Sequence, residues 1–197
     1  MRTTPYKEEY ASIYIKHGIW ETWHKKTFEE YEGDFTRGEI LSLLEEESTD
    51  NVIMYGNNGT GKTMLMNLAM KELIHKGKSV HVIDFRNLMK VYTASWRGNT
   101  NALNHLLSVD YLGIDDLGKE FKSEGASKEM ANATLDYVLR HRIQRQKPTW
   151  LTFNMLLKDV KVHYNEHIAS LLKRGTTAIL FDGADYGDNL ISIKKPK

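Results

Sequence analysis

Eight consecutive residues carry the most specific chemistry in the chain: Gly56-Asn57-Asn58-Gly59-Thr60-Gly61-Lys62-Thr63. They fit the phosphate-loop pattern G-x-x-x-x-G-K-[ST] at every fixed position. Glycines permit backbone conformations closed to residues that carry a Cβ, so such a loop can curl and turn its amides inward. Those amides converge on phosphate oxygens, and a helix starting at the end of the loop adds the positive end of its dipole. Lys62 is then placed to reach the β- and γ-phosphates of a nucleoside triphosphate, and the Thr63 hydroxyl to hold Mg²⁺. A loop of this kind needs a carboxylate at the end of a neighbouring strand to position the metal. Tyr111-Leu112-Gly113-Ile114-Asp115-Asp116 supplies two. Asp115 is assigned to the metal side, and Asp116 to the orientation or activation of an attacking water. A third apolar run, Thr149 to Phe153, ends in Asn154. Its amide suits a bond to both the γ-phosphate and that water; an Asn there equally suits the cap of a following helix. Thr152 is the second candidate for the polar sensor.

The flanking patterns are those that would hold these groups in place. Asn51–Tyr55 is a short apolar run that leads into glycine and reads as a buried strand, and Lys62 to His75 carries apolar residues at helical spacing. Ser79–Phe85, Asp110–Asp115, Pro148–Phe153, Thr176–Phe181 and Asn189–Ile193 read as further strands. A helix around Ile40–Leu44, ending near Ser48, precedes the first strand. Others are expected over Asn87–Trp96, Asn101–Leu107, Lys128–Gln146 and Val160–Lys173. Strands alternating with helices imply an α/β fold, a parallel sheet with helices on both faces. Ligands in such folds sit beyond the carboxyl ends of the strands. Residues 1–33 read as an aromatic-rich N-terminal extension ahead of a core over 34–197. Tyr6, Tyr10 and Tyr14 fall on one helix face, and Trp20, Trp23, Phe28 and Tyr31 follow. So short a segment cannot build its own core and is expected to pack on the main domain; a docking surface for a partner is the alternative.

Composition narrows the function classes. The 197 residues are 41% hydrophobic and 27% charged, which is ordinary for one globular domain and excludes a disordered chain. With 27 Lys+Arg against 26 Asp+Glu the net charge is +1, so contact with nucleic acid must come from local patches. The absence of cysteine excludes disulfide scaffolds, thiolate zinc sites and thiol catalysis. No apolar run has the length of a membrane span, and the N-terminus lacks the apolar stretch of a signal peptide. A cytoplasmic protein without membrane attachment is expected. His163 and His167 have a spacing that suits a metal on one helix face, but no His-Glu-x-x-His pattern accompanies them, and Asn165 between them suits a helix break or cap. No G-x-S-x-G elbow is present for serine chemistry.

Taken in order, GNNGTGKT, YLGIDDLG and PTWLTFN resemble the AAA+ ATPases of the DnaC/DnaI helicase-loader group, which includes the IstB transposition helpers. Ile179-Leu180-Phe181-Asp182-Gly183-Ala184-Asp185-Tyr186 is similar to that family's F-x-G-x-D-Y stretch. Gly18-Ile19 with Lys26-Thr27-Phe28-Glu29-Glu30-Tyr31 resembles the segment leading into its ATPase core. The resemblance implies a P-loop NTPase fold of the AAA+ type, with ATP and Mg²⁺ as cofactors and ATP hydrolysis as the activity. It further implies a role in DNA replication, with single-stranded DNA and a replicative ring helicase (or a transposase) as partners. Side-by-side assembly into a homo-oligomer with ATP is implied as well. The chain departs from the family in places. Active members usually carry Glu where Asp116 stands. Where the family has Ser-Arg-Leu, whose arginine completes a neighbour's site, this chain has Ser170-Leu171-Leu172. Arg174, or Lys173, is the substitute candidate, and loss of this arginine predicts weak intrinsic hydrolysis. No separate helicase-binding domain and no or only a minimal helical lid are expected.

In the region where these loaders line a channel, Tyr92, Trp96 and Arg97 are the candidate contacts to single-stranded DNA. The i, i+4 spacing of Tyr92 and Trp96 also suits plain core positions. Arg140, His141, Arg142, Arg145 and Lys147 form a second basic patch, which the dipole of a helix C-terminus would favour by itself. Lys194, Lys195 and Lys197 read as a solvated tail. Three other readings compete. A small-molecule kinase would use an arginine-bearing lid, and residues 140–145 supply arginines, although on a helix. A GTPase would use Asp115-Asp116-Leu117-Gly118 as D-x-x-G, but no Asn-Lys-x-Asp reader of guanine occurs. A binding module would use ATP only as a switch.

Overall fold

Each apolar run that leads toward a chemical residue becomes a strand, and the strands lie side by side in one parallel sheet. The computed structural model describes residues 4–118, 126–173 and 175–183. Arg174, Ala184–Tyr186, the expected strand Asn189–Ile193 and the terminal lysines lie outside the described residues. The strands are β1 (Asn51–Gly56), β2 (Val80–Asp84), β3 (Tyr111–Leu117), β4 (Thr149–Phe153) and β5 (Thr176–Phe181). Their order is β2-β3-β4-β1-β5, with every pairing parallel. Side chains alternate across a strand, so Val52 and Met54 enter one buried cluster and Ile53 the other.

Helices cover both faces. On one lie α1 (Tyr10–Lys16), α2 (Asp34–Glu45) and α3 (Lys62–His75). On the other lie α4 (Phe85–Ser95), α5 (Asn101–Ser108), α6 (Ala126–Gln144), α7 (Leu157–His163) and α8 (Glu166–Leu171). No helix among the described residues is long and apolar enough to cross a membrane. Helices α7 and α8 divide the largely helical stretch expected over Val160–Lys173, and the division falls at Asn165. Tyr164 is extended and buried with its ring against Phe153 at 5.8 Å. The Asn165 side chain then accepts from the Ile168 N–H at 3.0 Å and starts a new helix. His163 and His167 therefore stand on different helices.

The N-terminal segment shares the first cluster. Tyr14, Ile19, Phe28 and Tyr31 are buried with residues of α2, α3 and the sheet. Val82 N–H donates to His17 O at 2.9 Å, so the segment covers part of the β2 edge, which would otherwise offer its backbone to another chain. The Lys71 ammonium donates to the carbonyls of Trp23, His24 and Lys26 at 2.9, 2.9 and 2.7 Å, one acceptor for each of its protons.

Arg142 is taken out of the basic surface patch altogether. It is fully buried at the end of α6. Its guanidinium donates to the carbonyls of Leu106, Val109, Asp110 and Pro148 and to Thr149 Oγ1, at 2.8–3.2 Å. It thus ties α5, β3 and β4 together. Arg142→Ala strands several buried acceptors, each worth about 1–3 kcal/mol if left unpaired, so a loss of at least that size in stability is expected. Urea unfolding of the two proteins measures it. A variant within about 1 kcal/mol of the parent would show that solvent reaches these carbonyls.

Candidate functional site

The turn from β1 into α3 is tight because its glycines are pinned. Gly56 has φ +133°, and a Cβ there would lie 2.1 Å from the carbonyl oxygen of Phe181 in β5. Asn57, Asn58 and Gly59 are exposed and form the open side of the loop. Lys62, the first residue of α3, is only 5% exposed. Its ammonium donates to Gly56 O at 3.1 Å, to Thr60 Oγ1 at 3.3 Å and to Asn57 O. The Thr60 hydroxyl in turn donates to Asn57 O at 2.9 Å. One residue on, the Thr63 hydroxyl donates to Asp115 Oδ1 at 3.0 Å. Asn67 Nδ2 donates to Thr63 O at 2.7 Å from the next turn of the helix.

The two acids stand on a β-bulge. Ile114 pairs with Leu151 and Leu117 with Phe153, so β3 spends one residue more than β4 over the same stretch. Asp116 takes up the excess with φ +69°, a left-handed conformation that costs energy for any residue but glycine. The bulge breaks the ladder, and Thr152, on the facing strand, repairs it. Its hydroxyl accepts from Asp116 N–H at 2.8 Å and donates to Asp115 Oδ1 at 2.5 Å. Asn154 Nδ2 donates to Asp116 Oδ1 at 2.6 Å. The cap of α7 is Leu156, so the alternative reading of Asn154 as a helix cap does not hold. Thr63, Asp115, Thr152, Asp116 and Asn154 form one hydrogen-bonded run at the carboxyl ends of β3 and β4, beside the loop.

Asp115 is 3% exposed. Burial pushes its carboxyl above the usual carboxylate range, and the hydrogen bonds from Thr152 and Thr63 oppose that shift. A nearby cation would favour the ionised form in the same way. The donors at this point are a hydroxyl and a carboxylate, all hard oxygens. No group of three or more His, Cys, Asp or Glu that could hold a metal ion by itself occurs among the described residues. That donor set fits Mg²⁺, which takes one or two carboxylate ligands and shares the rest with water and substrate phosphates.

The candidate nucleic-acid residues lie elsewhere, across α4 and α6. Trp96 is 60% exposed, and Tyr92 is half-buried rather than core. The Tyr92 ring sits 5.4 Å from Trp96 and 5.3 Å from Tyr137, which lies 5.9 Å from the His141 ring in a stacked pair. Tyr137 and His141 thus extend an aromatic row that Tyr92 and Trp96 begin. Their α6 positions gave no sign of this in the linear order. Beside the row, a cleft of about 610 Å³ is lined by Arg86, Lys90 and Arg97 together with Met89 and Met130. The second basic patch, by contrast, is dispersed. Arg142 is buried, Arg140 pairs with Asp136 at 2.9 Å, and Lys147 pairs with Asp110 at 3.2 Å.

Comparison with known proteins places these observations in a family. The family described as "IstB-like ATP binding protein" matches residues 19–169. The replicative helicase loader DnaC of Escherichia coli K12 is 27% identical over 149 residues, 72% of this chain and 59% of that protein. The replicative helicase loader DnaI of Bacillus subtilis 168 is 26% identical over 127 residues, 64% of this chain and 40% of that protein. The chain therefore spans less than two thirds of these relatives. Among solved structures, a DnaC helicase loader superposes with a TM-score of 0.67 at 22% identity, covering 87% of this chain and 99% of that one. The replication initiator DnaA bound to AMPPCP and single-stranded DNA superposes with a TM-score of 0.68 at 20% identity, covering 84% and 51%. At these identities the likeness is one of fold, that of AAA+ P-loop NTPase domains.

Proposed function

Since the chain belongs to the family of IstB-like ATP binding proteins, we propose that it hydrolyses ATP and uses the cycle to load or remodel a replicative ring helicase on single-stranded DNA. One observation carries the hydrolytic part: the run Thr63–Asp115–Thr152–Asp116–Asn154 beside the phosphate loop. The amides of Gly56 through Thr63 cradle the phosphates, and Lys62 turns from the loop carbonyls to the β- and γ-phosphates. Thr63 and Asp115 hold Mg²⁺, which when bound neutralises charge on those phosphates. Asp116 orients the attacking water and accepts its proton. Asn154, already bonded to Asp116, holds that carboxylate toward the γ-phosphate. In an oligomer formed with ATP, Arg174 of one copy completes the site of the next.

The helicase part rests on the names of the relatives, DnaC and DnaI. Transposition helper of the IstB type is the close variant, with the same fold and chemistry and a different partner. The kinase reading loses its support, because Arg142 is locked in the core and cannot serve on a lid.

The DNA path follows Trp96, Tyr92, Tyr137 and Arg97. The test is steady-state ATP hydrolysis with and without single-stranded DNA, accompanied by size-exclusion chromatography with both ligands. Stimulation and a species larger than the monomer are expected. Stacking of one base is worth about 1–3 kcal/mol, so Trp96→Ala should weaken DNA binding about tenfold while hydrolysis without DNA stays unchanged. A parent protein that neither binds single-stranded DNA nor leaves the monomeric state would remove the loader reading.

A further inference from the structure

We infer that Tyr31 is a positioning residue for the phosphate loop, through which the N-terminal segment sets nucleotide affinity. The inference rests on the proposed binding of ATP at that loop. Tyr31 is 5% exposed and lies on the N-terminal side of α2. Its ring is slotted between two glycines. A Cβ on Gly61 would lie 2.4 Å from Tyr31 Cε2, and a Cβ on Gly33 would lie 2.5 Å from Tyr31 Cε1. Gly61 is the loop glycine immediately before Lys62, so one edge of the ring bears directly on the phosphate cradle. The hydroxyl completes the link: it donates to Thr60 O at 3.2 Å and accepts from Thr36 Oγ1 at 3.0 Å. Thr60 and Gly61 are the two residues that deliver Lys62 and Thr63 to their places.

The mount is stiff on its far side as well. The turn Phe28–Glu30 is closed by a capping box between Thr27 and Glu30. Arg37 donates to the carbonyls of Phe28 and Tyr31 at 3.4 and 3.3 Å. Phe28 is buried in the cluster that holds Tyr14 and Ile19. A segment braced in this way, bearing on the loop through the Tyr31 hydroxyl and ring edge, fixes the loop's curvature. By linkage, whatever loosens the segment weakens nucleotide, and bound nucleotide tightens the segment.

Three variants test this. Tyr31→Phe keeps the ring and removes the hydroxyl link. Gly33→Ala keeps a negative φ, open to alanine, and drives a methyl against the ring and against the Thr36 hydroxyl bonded to it. Tyr14→Phe removes a comparable hydroxyl contact of the same segment, that to His75 Nε2 at 2.6 Å, and does not touch the loop. Fluorescent ATP-analogue titrations and steady-state kinetics are run on each, with thermal melts alongside. Loss of one neutral hydrogen bond corresponds to about threefold to tenfold. The expected result is a rise of that size in the dissociation constant and in KM for Tyr31→Phe and for Gly33→Ala, with kcat unchanged, the signature of lost uniform binding. Tyr14→Phe should bind ATP like the parent at whatever cost in melting temperature. The inference is overturned if Tyr31→Phe and Gly33→Ala bind like the parent, or if Tyr14→Phe weakens binding equally, which would mark a general structural effect. A parent that binds no ATP overturns the functional reading, and this inference with it.

Discussion

Lys62→Ala is expected to lose ATP turnover by about 10²–10³, the range observed when a single preorganised donor to a developing charge is removed. The argument starts from burial. The ammonium is 5% exposed, and its contacts include two loop carbonyls and the Thr60 hydroxyl. A buried cation gains when a phosphate replaces these carbonyls, because the bond then joins opposite charges in a site poor in water. The variant should retain its fold, since Asn57, Asn58 and Gly59 beside the released ammonium site are exposed and water can enter there. Two measurements separate loss of function from loss of structure. Ligand at a hundred times its dissociation constant adds about 2.7 kcal/mol to stability. For a chain of this size that corresponds to a rise of roughly 5–10 °C in melting temperature. The parent should show that rise with ATP and Lys62→Ala should not, while the two melt alike without nucleotide. A variant that keeps the rise and the turnover would mean that the loop is not where ATP binds.

The loop and the acids were legible in the sequence because both are local. A phosphate cradle needs its glycines and its lysine at fixed separations in one turn, and a strand that ends in acids announces itself by the change from apolar to charged. The alternation of strands and helices was legible for the same reason, since burial on both faces leaves continuous apolar runs. What escaped was non-local. Nothing in YLGIDDLG marks a bulge, because a bulge is a mismatch between β3 and β4 and neither strand carries it alone. Thr152 therefore ranked as a second sensor, whereas its hydroxyl binds both acids. Tyr31 read as one aromatic among several, because its distance from Gly61 is set by the return of the chain across the sheet. Arg142 read as surface charge, for in a helix-end run of basic residues only the packing of α5 and β4 reveals which one points inward. The break at Tyr164-Asn165 was legible in part, because Asn165 is a favoured cap and does cap α8.

The bulge makes the second large effect predictable. Asp116→Asn should lower kcat by about 10²–10³ with ATP affinity held within a few fold, because it removes a base that acts on water in the transition state and leaves the loop intact. Asp116 is held from two sides, by Asn154 at its carboxylate and by Thr152 at its backbone N–H. Its left-handed φ of +69° persists because those bonds hold it. Thr152→Val is nearly isosteric but cannot accept the Asp116 N–H and cannot donate to Asp115. It should cost about 1–3 kcal/mol of stability for the stranded groups and should lower kcat as well, since the strained residue is then free to relax. Thr152→Ser restores a hydroxyl at the same point and should recover most of the rate. Single-turnover hydrolysis with ATP in excess over its dissociation constant reads these changes without interference from binding or release. If Thr152→Val hydrolyses ATP at the parent rate while Asp116→Asn does not, the carboxylate matters and the bulge does not. If both keep the parent rate, the water is activated by another group, and the run from Thr63 to Asn154 serves the fold rather than the reaction.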